Sequence, residues 1–304
     1  MKKYFIITVD TEGDNLWTYK PGETINTKNA RFIQPFQSLC EKYGFKPVYL
    51  TNYEMAKDKY YVEQAREWLK RDACEIGIHL HAWNNPPHYE LTGPYNGNPY
   101  LIEYPIDIMR SKFKVIYDLL VENFDIKPVS HRAGRWAMDE RYFSILEEYG
   151  VLVDCSHTPG VSWESEKGIT VGGSNYRDVP RNISKYGNVL EVPIPIIRTR
   201  LPFYGNIRHR LRSILKGNSL YLRPASSTLG EMKYYIRQFY NSPEYDYVEF
   251  MIHSSELMPN GSPYFQTEDS VKSFICTMGE LFDYAHKMGF VGITLKEYYN
   301  IKNR

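Results

Sequence analysis

Carboxylates, imidazoles and guanidinium groups recur in this sequence at one kind of place, the end of a short apolar run. Tyr4–Val9 leads into Asp10-Thr11-Glu12-Gly13-Asp14, and Glu75–His79 into Leu80-His81. Pro128–His131 leads into Arg132-Ala133-Gly134-Arg135-Trp136, Val151–Asp154 into Cys155-Ser156-His157, and Tyr247–His253 into Ser254-Ser255-Glu256. Groups of these types brought together suit a hard or borderline divalent ion and a water that it activates. Asp10 and Glu12 share a face if their strand continues, as do His79 and His81, because side chains alternate with period two. Each residue alone has an ordinary reading. A single Asp after a strand is commonly a turn or cap, Arg132 an ion-pair partner, His253 a satisfied core histidine, and Trp83, Trp136 and Trp163 packing. Their common position is what argues for a site.

The elements that must position these groups alternate. The apolar runs named above, with Pro47–Thr51, Val189–Val192 and Phe290–Gly292, read as strands. Between them Arg31–Tyr43, Tyr61–Lys70, Ile108–Asn123, Arg141–Tyr149, Leu229–Tyr240 and Ser270–Met288 read as helices, several closed by glycine. Repeated strand–helix alternation predicts an α/β protein with a single parallel (β/α) barrel, residues 1–304 forming one domain. On such a barrel the strand C-termini and their loops form the active face. Two long non-periodic stretches, His81–Pro105 and Ser156–Arg181, fall there, and loops of that length are usually functional or disordered.

Composition narrows the class. The chain has 304 residues, 37 Lys+Arg against 36 Asp+Glu, and 42% hydrophobic residues, a balance that excludes a disordered chain and offers no global field for nucleic acid. Aromatic residues make up 15% of the chain, and packing is their first use. Cys40, Cys74, Cys155 and Cys276 lie far apart with no Cys-x-x-Cys pair, as expected of reduced thiols. With no signal-peptide pattern and no apolar run long enough to span a bilayer, the sequence reads as cytoplasmic. Between Val192 and Gly230 there is no acidic residue, while Arg198, Arg200, Arg208, Arg210, Arg212, Lys216 and Arg223 are all cationic. Ile207, Leu211, Ile214 and Leu215 fall on one helical face there. A solvated helix packed on the barrel is the first reading; peripheral contact of the 198–223 stretch with an anionic membrane or with lipid-linked sugar phosphates is the second.

The ordered motifs resemble those of the polysaccharide deacetylases, the NodB-homology group of carbohydrate esterases, over most of the chain. Thr8-Val9-Asp10-Thr11-Glu12 is similar to the family's first motif, Thr-Phe-Asp-Asp. Glu75-Ile76-Gly77-Ile78-His79 resembles the lead-in to the second, and Arg132 to Trp136 the third. Asp154 with Trp163 resembles the fourth, and Met251-Ile252-His253 the fifth. The run His253 to Pro259 is especially like a subgroup met in surface-polysaccharide synthesis loci. The resemblance implies a distorted barrel of about seven strands with its site at the strand C-termini. It implies Asp10 as general base, His253 as general acid and Arg132 as the group that orients Asp10. Trp83, Arg135, Trp136, Asp154 and Trp163 would line the substrate groove. Two departures stand out. Thr11 replaces the family's second Asp, so that Glu12, or Asp10 itself, supplies the metal carboxylate. Trp83 stands where the second metal histidine falls in the family, and His81 is offered instead.

The expectation is therefore a hydrolase that uses a divalent metal, zinc first, held by Glu12, His79 and His81. It would remove an N-acetyl group from a sugar in a polysaccharide or a lipid-linked precursor. Two rivals are carried with it: a hydrolase of another non-peptide C–N bond, and a barrel that has lost its metal and binds sugar without turnover.

Overall fold

The computed structural model describes residues 1–20, 22–199 and 218–303. The expected strands and helices are present, with shifted ends. The first half of the chain runs β1 (Tyr4–Thr11), α1 (Gln34–Lys42), β2 (Pro47–Thr51), α2 (Tyr53–Lys57), α3 (Lys59–Lys70), β3 (Glu75–Leu80), α4 (Ile106–Phe124), β4 (Ser130–Ala133), α5 (Glu140–Glu148) and β5 (Val153–Asp154). It continues through β6 (Ser184–Tyr186), β7 (Val189–Glu191), β8 (Ile197–Thr199), β9 (Asn218–Leu220), α6 (Leu229–Asn241), β10 (Tyr247–His253), α7 (Glu268–Lys287), β11 (Val291–Gly292) and α8 (Leu295–Lys302).

The main sheet has the order β10-β1-β2-β3-β4-β5-β7-β6, with β11 beside β1. All its pairings are parallel except β6 with β7. The two ends of this path, β6 and β10, do not pair with each other. The sheet curls into a half-barrel, which is the distorted (β/α) barrel expected.

Period-two alternation divides every strand between two environments. Outward-facing Phe5, Ile7, Val9, Ile76, Ile78, Leu80, Val248, Phe250 and Ile252 join the core under the helices. Inward-facing Tyr4, Ile6, Val48, Leu50, Val153, Leu190 and Tyr247 fill the lower barrel, plugged by Leu295 and Tyr298 of α8. Above that plug the inward positions turn polar, and this is where the site lies.

The fold also holds elements outside the expected set. α2 and α8 are short, yet each carries a start signal: Asn52 caps α2, and Thr294 with Glu297 makes a capping box on α8. The expected strand Val151–Asp154 shrinks to Val153–Asp154. Of the basic stretch, Arg200, Arg208, Arg210, Arg212 and Lys216, with the apolar face Ile207 to Leu215, lie outside the described residues. No helix among the described residues is long and apolar enough to cross a membrane.

Candidate active site

Register sets the site. β1 pairs with β10 so that Asp10 stands opposite His253, and β3 with β4 so that His79 stands opposite Arg132. All four side chains point inward at the open end of the barrel. Glu12 follows one inward position above Asp10, and His81 one above His79. The backbone of Glu12 is fixed by Ser254 Oγ, which accepts from its N–H at 3.1 Å, and by Asn29 Nδ2, which donates to its carbonyl at 2.7 Å.

Glu12, His79 and His81 are buried and offer donor atoms within 4.8 Å of one another. His81 Nε2 lies 2.7 Å from Glu12 Oε2, His79 Nε2 lies 3.5 Å from the same oxygen, and the two imidazole nitrogens are 3.1 Å apart. Donors on a tetrahedral ion with bonds near 2.05 Å would stand about 3.3 Å apart, so the trio is already spaced as ligands are. His79 Nδ1 lies 2.9 Å from the carbonyl oxygen of Arg132. A carbonyl only accepts, so Nδ1 carries the proton and Nε2 turns its lone pair on the group, the usual outer support of a ligating histidine. The donor set therefore fits a divalent ion, two imidazoles and a carboxylate being a familiar zinc set.

Asp10 is held differently. Arg132, with no exposed surface, donates from Nη1 to Asp10 Oδ1 at 2.6 Å, from Nη2 to Thr8 Oγ1 at 2.9 Å and to Glu249, and from Nε to the Cys155 carbonyl at 3.2 Å. Burial alone would raise the Asp10 carboxyl, but Arg132, His79 and His253 outweigh it and hold it below the ordinary range. For Glu249 burial wins over Arg132, and the carboxyl is pushed up to about 7. Burial likewise opposes the ionised form of Glu12, but His253, His79 and His81 keep it well below the usual carboxylate value. Asp10 thus leaves Oδ2 unclaimed by Arg132, 3.9 Å from His253 Nε2; Glu12 Oε1 is 3.8 Å from the same nitrogen.

Around this floor is a cleft of about 440 Å³. Trp83 stacks at a tilt on His81, ring centroids 4.3 Å apart. Trp136 and Trp163 stand nearly parallel, 6.4 Å between centroids. Arg135 and Trp136 both adopt positive φ, 55° and 63°, a left-handed backbone that costs a non-glycine residue about 1–3 kcal/mol each. That strain is held by Arg132 lying over the Trp136 ring and by Tyr176, whose hydroxyl donates to the Trp136 carbonyl.

Of the expected groove residues, Arg135 lines the cleft and Asp154 does not. Arg135 borders the cleft, but its N–H groups go to the carbonyls of Asn98 and Lys167 and its plane lies 4.0 Å over Tyr100. It ties loops together. Asp154 is fully buried on the outward face, bonded to His131 Nδ1 at 2.6 Å and Ser156 Oγ at 2.8 Å. The inward position next to it belongs to Cys155, so Asp154 does not reach the cleft.

Among the lining residues that the sequence pattern does not mark are Trp17, Arg223 and Tyr100. Trp17 packs edge-on against His253 and donates from Nε1 to Ser255 Oγ at 3.1 Å. Arg223, counted among the surface cations, lies 3.3 Å from His253 Nδ1 and 3.6 Å from Glu256. Tyr100 comes from the proline-rich loop after β3. The cation run hid Arg223, and nothing local marks Trp17 or Tyr100.

Compared with known proteins, the chain matches no protein-family profile. No curated protein matches by sequence. By structure it is similar to a protein of Mycobacterium smegmatis assigned as a polysaccharide deacetylase, at TM-score 0.55 and 14% identity, covering 99% of this chain and 91% of the other. It is also similar to the GH57 branching enzyme of Thermococcus kodakaraensis, at TM-score 0.57 and 10% identity, covering 99% of this chain and 71% of that one. A third likeness is to the 4-alpha-glucanotransferase of Thermococcus litoralis, at TM-score 0.56 and 12% identity, where the match covers 99% of this chain and only 40% of the other. At these identities what the chain shares with all three is the curled, mainly parallel barrel.

Proposed function

We propose that this protein is a metal-dependent deacetylase acting on an N-acetylated sugar of a polysaccharide or its precursor. The observation that carries the reading is the pairing, at one barrel mouth, of the Glu12–His79–His81 donor group with a carboxylate locked by Arg132. When bound there, a divalent ion such as zinc supplies Lewis acidity toward an acyl oxygen and lowers the pKa of water toward neutrality. The remaining work falls to the chain. Arg132 occupies Asp10 Oδ1, so Oδ2 is the oxygen left to accept a proton from the attacking water. His253 stands beside Asp10 on the neighbouring strand, 3.9 Å from Oδ2, and would hand a proton to the departing amine. Trp136, Trp163 and Trp83 offer apolar faces to a sugar ring and restrict water. The Mycobacterium smegmatis protein, named for polysaccharide deacetylation, shares the barrel and is consistent with this chemistry.

The glucan-acting enzymes on the same barrel raise glycosyl transfer as a second reading. Such chemistry needs two carboxyl groups on opposite sides of the scissile bond. The buried carboxylates of the cleft, Asp10 and Glu12, instead lie two residues apart on one chain segment, one tied to Arg132 and the other to imidazoles, and Glu166 on the wall is exposed. That arrangement favours the hydrolase.

The test is metal content by elemental mass spectrometry, beside acetate release from N-acetylated oligosaccharides. About one ion per chain is expected, with both signals lost in His79→Ala/His81→Ala. No ion under metal-replete conditions would overturn the reading in favour of a sugar-binding protein. A bound ion with no acetate release would direct it to another C–N bond.

A further inference from the structure

The two long loops after β3 and β5 do not lie apart over the sheet; they are joined above the end of β4. Tyr95 N–H donates to the Ile169 carbonyl at 3.1 Å and Gly97 N–H to the Gly168 carbonyl at 3.0 Å. Tyr100 donates from its hydroxyl to the Glu166 carbonyl at 2.7 Å. One carboxylate oxygen of Glu103 accepts from Ile169 N–H at 2.8 Å, Thr170 Oγ1 at 2.8 Å and Val171 N–H at 3.2 Å, and from Thr170 N–H as well. Beneath the seam Arg135 donates to a carbonyl of each loop, Asn98 and Lys167.

The seam is built for close approach. A Cβ on Gly93 or Gly97 would run into the carbonyl oxygens of Ile169 and Lys167, and one on Gly168 into the Glu103 carboxylate. Only glycine lets these backbones meet. The strained left-handed backbone at Arg135 puts its guanidinium under both loops at once. The result is an arch over the end of β4, and its inner side is one wall of the cleft, through Asn98, Tyr100, Trp163 and Glu166. Across from it Trp17 packs on His253 and Tyr264, with Arg223 over its ring.

We infer that the arch makes this cleft a pocket for the terminal unit of a saccharide rather than a groove for the interior of a polymer. A chain entering the cleft is stopped at the joined loops. A volume of about 440 Å³ lies in the lower part of the ~300–1,000 Å³ span of small-ligand sites, room for one or two rings and not a long run. This rests on the deacetylase reading and adds to it which sugar along a chain is served.

The experiment is limited turnover of the metal-loaded protein on N-acetylated oligosaccharides of two to six units labelled at the reducing end, with the deacetylated unit located by tandem mass spectrometry. Reaction is expected at one terminal unit, preferred over interior units by about tenfold or more in kcat/KM, with little gain beyond two units. In Gly97→Val and Glu103→Ala, which spread the seam from opposite sides, that preference should fall to about threefold or less. Circular dichroism and metal content of the variants show whether the barrel is intact. Equal reaction at interior units of the parent protein, or an unchanged preference in both folded variants, overturns the inference while leaving the deacetylase reading in place. Absence of acetate from every saccharide overturns that reading instead. The arch is then judged by binding: a polymer blocked at both ends that binds as tightly as short free-ended saccharides overturns it, and weaker binding of the blocked polymer supports it.

Discussion

Two polar clusters meet at β4, where they take neighbouring residues and face opposite ways. On β4, Arg132 points into the barrel toward Asp10, while His131 points out toward the helices. There His131 bonds Asp154 at 2.6 Å and the Tyr142 hydroxyl at 2.8 Å. The residue types are nearly the same on both sides: histidine, aspartate and glutamate at strand ends. The outer cluster is closed at its centre, with both nitrogens of His131 and both oxygens of Asp154 bonded to protein. The inner cluster is open, with Asp10 Oδ2, Glu12 Oε1 and the imidazole nitrogens turned on shared space. Composition at a strand end therefore does not identify a site; the face on which it lands does.

The largest effect that tests this contrast is removal of the donor pair. His79→Ala/His81→Ala should abolish metal binding and lower acetate release by on the order of 10⁴-fold. Retained metal in that variant would break the contrast, because the ion would then be held elsewhere. Asp10→Asn should follow, with turnover down about 10²–10³-fold while metal content stays at the parent level. Loss of metal there would make Asp10 a ligand and reverse its division of labour with Glu12.

The outer cluster should respond in stability and not in chemistry. Asp154→Ala leaves His131 and Ser156 buried without their acceptor, and breaking a buried pair costs about 3–5 kcal/mol. Denaturant unfolding should show that loss, with kcat of the folded protein within about twofold of the parent. Burial opposes the ionised Asp154, but His131 outweighs it and holds the carboxyl down, at about 2. A carboxyl depressed on folding contributes stability that is complete above its unfolded value and lost as pH falls through the folded one. The parent should therefore lose stability between pH about 4 and about 2, and Asp154→Asn should lose less over that window. Glu191, pushed well up by burial and then by Asp154, is largely protonated in both states there and adds no slope. Equal slopes in parent and variant would show that the Asp154 carboxyl is not held down on folding.

Much of this arrangement was legible. Strand ends stand out because each apolar run is short and stops at a polar residue, and the Glu12, His79 and His81 grouping follows from period two along β1 and β3. The same rule, applied to β5, would have excluded Asp154. Val153 and Cys155 take the inward places, so the residue between them must face out. Trp17, Tyr100 and Arg223 were not legible for a different reason. Trp17 is placed by a bond to Ser255, 238 residues away, and Tyr100 by one to Glu166. Arg223 belongs by sequence to a run of cations and by contact to His253. No local pattern encodes contacts of that range, which arise only once the barrel has formed.

The smallest effects should come from the paired indoles, and they separate recognition from strain on the open side. Trp163→Ala removes one sugar-facing ring and its bond from Nε1 to Thr158 Oγ1. Lost uniform binding raises KM and leaves kcat alone, here by about three- to tenfold, the worth of roughly 1 kcal/mol. Trp136→Gly removes the facing ring as well, but its backbone, at φ 63°, suits glycine and not tryptophan. The same rise in KM should then come with a smaller drop in melting temperature than in Trp163→Ala, because relief of the left-handed strain offsets part of the lost packing. Should Trp136→Gly prove the less stable of the two, the contacts that Trp136 makes with Arg132 and Tyr176 outweigh the strain. Its ring would then be a prop for the buried guanidinium more than a platform for substrate.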